Sequence, residues 1–153
     1  MFSRSAEYAI RAMTYLALQP TGKLTGAREI SEAEQIPMPF LWKILQNLAR
    51  RKLVRSFKGV GGGYVLARPA DNICVQDVLR ATEDRSLTEG CVLGLAECSD
   101  EKPCPLHPSW KSIRSQLIVT LSQTTFADLA RVAESKSGRI PARSGVIVDD
   151  RIH

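Results

Sequence analysis

PMPFLWKILQNLARRKLVRSFKGVGGGYVLAR, residues 37–68, is the stretch whose reading decides the fold. Leu41, Ile44, Leu45 and Leu48 recur at i, i+3, i+4 and i+7, the spacing that lines one face of an α-helix with apolar side chains. Pro37 suits the first turn of such a helix, where its missing N–H has no partner to lose. Met38, Trp42, Lys43, Gln46 and Arg50 are left toward another side. Val54–Lys58 and Tyr64–Arg68 are strand-like and are separated by Gly59-Val60-Gly61-Gly62-Gly63, which predicts a hairpin with a glycine-rich tip. Glycines there permit positive φ and let backbone N–H groups come close to a phosphate. The glycines match neither the Walker nor the dinucleotide-binding spacing, and no helix opens directly after them.

Working outward toward the N-terminus, Ala9, Ala12, Met13 and Leu16 repeat the helical stripe. That helix should begin near Ser3 or Ser5 and stop before Pro20. A short helical segment follows from about Ala27 to Glu34, then a tight turn to Pro37. Two helices at a short angle, the second rich in basic residues, read as a helix-turn-helix, and the hairpin as its wing. The expected fold class is mainly α with a small β-hairpin, a winged helix-turn-helix followed by a long C-terminal dimerisation helix.

Charge is distributed unevenly along the 153 residues. Residues 1–69 carry 11 Lys/Arg against 4 Asp/Glu, a balance of +7, whereas residues 70–153 carry 10 against 12, a balance of −2. No acidic residue lies between Gln35 and Ala70, where Lys43, Arg50, Arg51, Lys52, Arg55, Lys58 and Arg68 all fall. Such a run is either a solvated basic face or an electrostatic footprint for phosphate, and its coincidence with a helix-turn-helix pattern favours nucleic acid.

Beyond the hairpin, Val75, Val78, Leu79 and Thr82 mark a further short helix. Cys91, Cys98 and Cys104 then crowd together with His107 in a stretch without helical or strand periodicity. Thiolates are the soft ligands that iron-sulfur clusters and zinc require, and disulfide pairing would leave one of the three over. Structural zinc sites favour C-x2-4-C pairs, shorter than either interval here, which favours a cluster; zinc and a thiol–disulfide switch remain the rival readings. Trp110, Ile113, Leu117 and Leu121, widened by Ile118, form the stripe of a long helix that Pro108 can start. Its apolar surface exceeds what one short chain can cover, which suggests a partner helix from a second subunit. Thr125-Phe126-Ala127-Asp128 resembles an N-terminal capping box for a last short helix ending near Ala133. The expected organisation is a DNA-binding domain over 1–82, a cysteine-bearing loop over 83–107, a dimerisation helix and short terminal helix over 108–133, and a flexible tail over 134–153.

No apolar run approaches the ~18 residues of a membrane-spanning helix, and Arg4, Glu7 and Arg11 interrupt the first apolar stretch, so neither a membrane segment nor a secretory signal is expected. A cytoplasmic location and reduced thiols follow, with Cys74, between Ile73 and Val75, expected as a small buried hydrophobe. With only two histidines, His107 and His153, and no nucleophile signature beside them, an enzyme is not expected. An electron carrier could share the cluster but has no use for a wing and a +7 half.

Over about residues 1–133, the helix-turn-helix, the Gly61-Gly62-Gly63-Tyr64 wing ending in Leu66-Ala67-Arg68, the Cys91-x6-Cys98-x5-Cys104-x2-His107 loop and the long helix after it resemble the Rrf-type bacterial winged-helix transcriptional regulators. The resemblance implies a homodimer that grips a near-palindromic double-stranded DNA operator. It also implies an iron-sulfur cluster, 2Fe-2S or 4Fe-4S, with Cys91, Cys98 and Cys104 as thiolate ligands. The fourth ligand would be His107, as in IscR-like members, or Glu7 of the other subunit, as in members that recruit an acidic residue from the first helix. The first cysteine interval is one residue longer than in IscR-like members, and Trp42-Lys43 stands where those carry Glu-Gln, so their operator sequence does not transfer. The DNA-contacting set is expected to be Arg28, Met38, Trp42, Lys43, Gln46, Arg50, Lys58, Gly61, Gly62 and Tyr64, although packing is an equal reading for Trp42 and core or wing support the leading one for Tyr64. The function so implied is a regulator, by default a repressor, sensing iron, cluster status, redox state or nitric oxide.

Overall fold

In the computed structural model, which describes residues 2–82 and 88–136, the chain begins with α1 (Arg4–Leu18), whose N-terminus is capped by the Ser3 hydroxyl accepting from the Ala6 N–H at 3.2 Å. Ala6, Ala9 and Ala12 are fully buried, so their small side chains let neighbouring elements come close to this helix. Helix α2 (Ala27–Glu34) ends at Gln35 in the left-handed conformation (φ 51°), which turns the chain sharply into α3 (Met38–Arg50). As the stripe predicts, Leu41, Ile44, Leu45 and Leu48 of α3 are buried, against Met13, Ile30 and Ile36.

Strands β1 (Val54–Phe57) and β2 (Gly63–Leu66) pair antiparallel, Val54 opposite Leu66 and Phe57 opposite Gly63. Thr25 adds a one-residue bridge on the other side of β2, exchanging two backbone hydrogen bonds with Tyr64 at 3.0 and 2.8 Å. Gly63 is demanded by that bridge, because a Cβ there would lie 2.7 Å from the Thr25 carbonyl oxygen.

A single 3₁₀ turn (Ala70–Asn72) leads to α4 (Val75–Ala81); after the cysteine segment come α5 (His107–Gln123) and α6 (Phe126–Ser135). The capping box expected at Thr125 is formed: its hydroxyl accepts from the Asp128 N–H at 3.1 Å, while the Asp128 carboxylate accepts from the Thr125 N–H at 2.9 Å. Helix α6 folds back onto α1, and its Phe126 is fully buried within the same core as α3. The backbone secures this return, Val75 N–H donating to Thr124 O at 2.9 Å and Phe126 N–H to Ile73 O at 3.0 Å.

Two expectations need correction. Helix α6 runs to Ser135, two residues past its expected end, because capping and the buried Phe126, Ala130 and Ala133 sustain it; the rest of the expected tail, 137–153, lies outside the described residues, as do 83–87 of the cysteine loop. Cys74 is only half-buried, and it serves as the N-cap of α4, its thiol 3.3 Å from the Asp77 carboxylate. Burial is the main cause that pushes its thiol pKa up.

Candidate functional site

The surface of α3 opposite its buried stripe presents Trp42, Lys43, Gln46 and Arg50 to solvent, with Met38 half-buried at the helix start. Trp42 is 54 % exposed, which favours contact with a partner over packing within this chain. Phe40, 51 % exposed and in edge contact with Tyr8 at 6.1 Å between ring centroids, lies on the flank of α3 toward α1, and the sequence reading did not single it out. Its position off the Leu41 stripe was the available signal. Arg28 is exposed on α2, the first helix of the pair.

At the wing tip, Gly59 and Gly61 adopt positive φ (94° and 77°), and the Gly62 N–H donates to Gly59 O at 3.0 Å to close the turn. Lys58, Val60 and Gly61 are exposed, so a basic side chain and a bare backbone face solvent together. Tyr64 is half-buried and packs against the main core, which supports the wing from below. Arg68, at the far end of the hairpin, is drawn 3.7 Å from the Asp77 carboxylate and away from the tip.

The second assembly is built on the N-terminal end of α5. Trp110 Nε1 and Arg114 Nη2 both donate to Gly90 O, at 3.0 and 2.6 Å, and the Arg114 guanidinium lies 5.5 Å from the centre of the Trp110 ring. This clamp holds the chain immediately before Cys91. Gly94, at φ 72°, then turns the segment back, its N–H donating to Cys91 O at 3.0 Å. Backbone N–H groups of Leu93 and Leu95 aimed at the Cys91 sulfur hold its pKa below the usual thiol range, helped by the nearby Cys104 and Cys98 thiols. Cys98 Sγ in turn lies 3.3 Å from His107 Nδ1 and 3.5 Å from Arg114 Nη2.

His107, in the first turn of α5, is buried, and its Nε2 lies 3.0 Å from Asp100 Oδ1. Asp100 is held in place by Lys111 Nζ at 2.9 and 2.7 Å, and Lys111 first, then His107, keeps its carboxyl below the ordinary range. Of the four expected metal-binding positions, Cys98 and His107 are in direct contact, and Cys91 lies near enough to the Cys104 and Cys98 thiols to feel them. Among the described residues no three His, Cys, Asp or Glu side chains yet surround a single point. Glu7, the alternative ligand expected from the other subunit, lies in the first turn of α1.

A winged helix-turn-helix with an exposed basic recognition helix defines a DNA-binding protein. The chain belongs to the Rrf2 family, described as iron-dependent transcriptional regulators, whose profile matches residues 2–132. It is similar to an Aquifex aeolicus protein provisionally described as an HTH-type transcriptional regulator, with 35% identity over 136 residues, 88% of this chain and 94% of the relative. It is 29% identical to the HTH-type transcriptional regulator IscR of Cereibacter sphaeroides over 152 residues, 97% of this chain and 98% of that one. Among solved structures it resembles CymR, the global cysteine regulator of B. subtilis, at a TM-score of 0.73 and 25% identity, covering 86% of this chain and 97% of that chain. The protein is a DNA-binding transcriptional regulator and not an enzyme.

Proposed function

We propose that this regulator senses through an iron-sulfur cluster held by Cys91, Cys98, Cys104 and His107, and that it represses transcription as a homodimer on a near-palindromic operator. The observation that carries the reading is the gathering of three thiols and one imidazole nitrogen on the loop clamped to α5. The donor set fits: the Leu93 and Leu95 N–H groups supply hydrogen bonds that favour an anionic Cys91 sulfur, and the Arg114 guanidinium lies 3.5 Å from Cys98 Sγ. Bound there, a cluster would supply a centre open to oxidation, nitric oxide or loss of iron. His107 is preferred over the partner's Glu7 position because its Nδ1 already meets Cys98.

Ile113 and Val119 stand about half exposed on α5, which supports a second copy as the partner of that helix. No helix among the described residues is long and apolar enough to cross a membrane. Exposed Lys43, Arg50 and Lys58 serve the phosphates, and Trp42 and Gln46 face base edges from α3.

The test is anaerobic purification with iron and acid-labile sulfide assayed, followed by operator binding of the loaded and stripped forms. A brown protein whose operator affinity changes about 5- to 150-fold on stripping supports the reading, since coupling of ~1 to 3 kcal/mol is usual for such regulators. A colourless protein, or equal affinities, refutes it. A thiol switch is the second reading, favoured by the lowered Cys91 pKa beside two further thiols and by the likeness to a cysteine regulator. Mass spectrometry after alkylation would then find a Cys91 disulfide in oxidised protein, and stoichiometric zinc in the purified protein would point to the related zinc-dependent form.

A further inference from the structure

Asp100 has no part in the cysteine pattern, yet it meets the one imidazole of the loop from the side opposite the thiols. His107 Nδ1 faces Cys98 Sγ at 3.3 Å, while Nε2 faces Asp100 Oδ1 at 3.0 Å. An ionised carboxylate accepts hydrogen bonds and donates none, so the proton of a neutral His107 is drawn to Nε2 and the lone pair left on Nδ1. Lys111 makes two contacts to the same carboxylate from one turn further along α5, which biases Asp100 toward the imidazole. The imidazole itself is buried, with few alternative partners for either nitrogen.

We propose that Asp100, anchored by Lys111, is a positioning residue that fixes the His107 tautomer so that Nδ1 presents its lone pair to the sulfur trio. This rests on the cluster reading above and deepens it, because it names the ligating nitrogen and the group that selects it. Carboxylates in this outer position typically govern metal affinity by 10- to 100-fold. Asp100 itself is largely exposed, so its replacement opens no core cavity; D100A takes the partner from the buried His107 Nε2, whereas D100N keeps an acceptor there.

The experiment uses the full chain with ¹⁵N-labelled histidine. In the cluster-free protein, NMR should find His107 protonated at Nε2; D100A should move it toward the Nδ1–H tautomer or a mixture, and D100N, whose amide oxygen still accepts, should restore it. His107 is identified by the loss of its signals in H107Q. In the loaded protein, transfer of iron to a chelator should be about 10- to 100-fold faster in D100A and close to wild type in D100N. An unchanged tautomer in D100A, or D100N and D100A losing iron equally fast, overturns the inference while leaving the cluster reading intact. Wild-type protein that takes up no iron and sulfide overturns the cluster reading and this inference together.

Discussion

Replacing Gly62 with alanine should separate DNA binding from folding. A Cβ at Gly62 would lie 2.2 Å from the Phe57 carbonyl oxygen and 2.9 Å from that of Gly59. Ordinary carbon contacts need about 3.5 Å, so the backbone must yield by roughly 1 Å. The route of least resistance is to break the Gly62 N–H to Gly59 O hydrogen bond and splay the tip, because Gly59, Val60 and Gly61 are exposed while Gly63 is pinned by Thr25. Local strain of ~1 to 3 kcal/mol is then relieved outward, and the urea midpoint should move little. If each of two wings loses one phosphate contact, the slope of log affinity against log salt should fall by about 1.8, and affinity by about tenfold per wing. Fluorescence anisotropy with an operator fragment over a range of salt measures both. Gly22→Ala is the control: φ is 81° there and nothing lies within 4 Å, so it should cost ~1 to 2 kcal/mol of stability without touching the salt slope. An unchanged slope and affinity in Gly62→Ala would refute the assignment of this tip to the DNA.

Phe126→Ala should destabilise by ~3 to 5 kcal/mol in denaturant unfolding and do so in a single transition, because the ring lies inside the core of the winged domain; separate transitions for α6 and the winged domain would contradict this. The Asp128 carboxyl is held below the usual range by the Thr125 N–H, so its contribution is complete above its unfolded pKa near ~3.9 and is lost as pH falls through the lower folded value. Asp128→Asn should therefore flatten the acid limb of the stability curve, measured by melting between about pH 2 and 5. Trp42→Ala should leave stability within about 0.5 kcal/mol, since the ring is more than half exposed, yet weaken operator binding at least about tenfold; a melt shifted more than the binding would make Trp42 a packing residue.

Elements governed by local periodicity were legible in the sequence. The stripes of α1 and α3, the hairpin and the Thr125 box each depend on residues within a turn or two of one another, and the structure keeps them. What could not be read were long-range associations. Nothing in the spacing of Phe126 says that α6 returns to the core of α3. The cysteine segment shows the same division. Three thiols and His107 were visible as a donor set, whereas the Gly90 clamp and the Asp100 contact depend on side chains brought together by a loop without periodicity.

The face of α5 explains how such a loop can matter to a distant helix-turn-helix. Trp110, Arg114, Leu117 and Leu121 follow at intervals of 4, 3 and 4 and so share one side of the helix. At the N-terminal half of that side, Trp110 and Arg114 hold Gly90 and meet Cys98. At the C-terminal half, Leu117 and Leu121 pack with Ala6 of α1 and Val75 and Leu79 of α4. The 17 residues of α5 span about 25 Å at 1.5 Å per residue, so one rigid element carries the loop at one end and the DNA-binding core at the other. Releasing the Gly90 clamp removes contacts from the first half only, while the leucines and the backbone ties at Thr124 and Phe126 keep the second half docked. The expected consequence of losing loop order is a change in the direction of α5 relative to α4, with the winged domain still folded. In a dimer joined through α5, that change would alter the separation of two recognition helices, which must lie about 34 Å apart to enter successive major grooves.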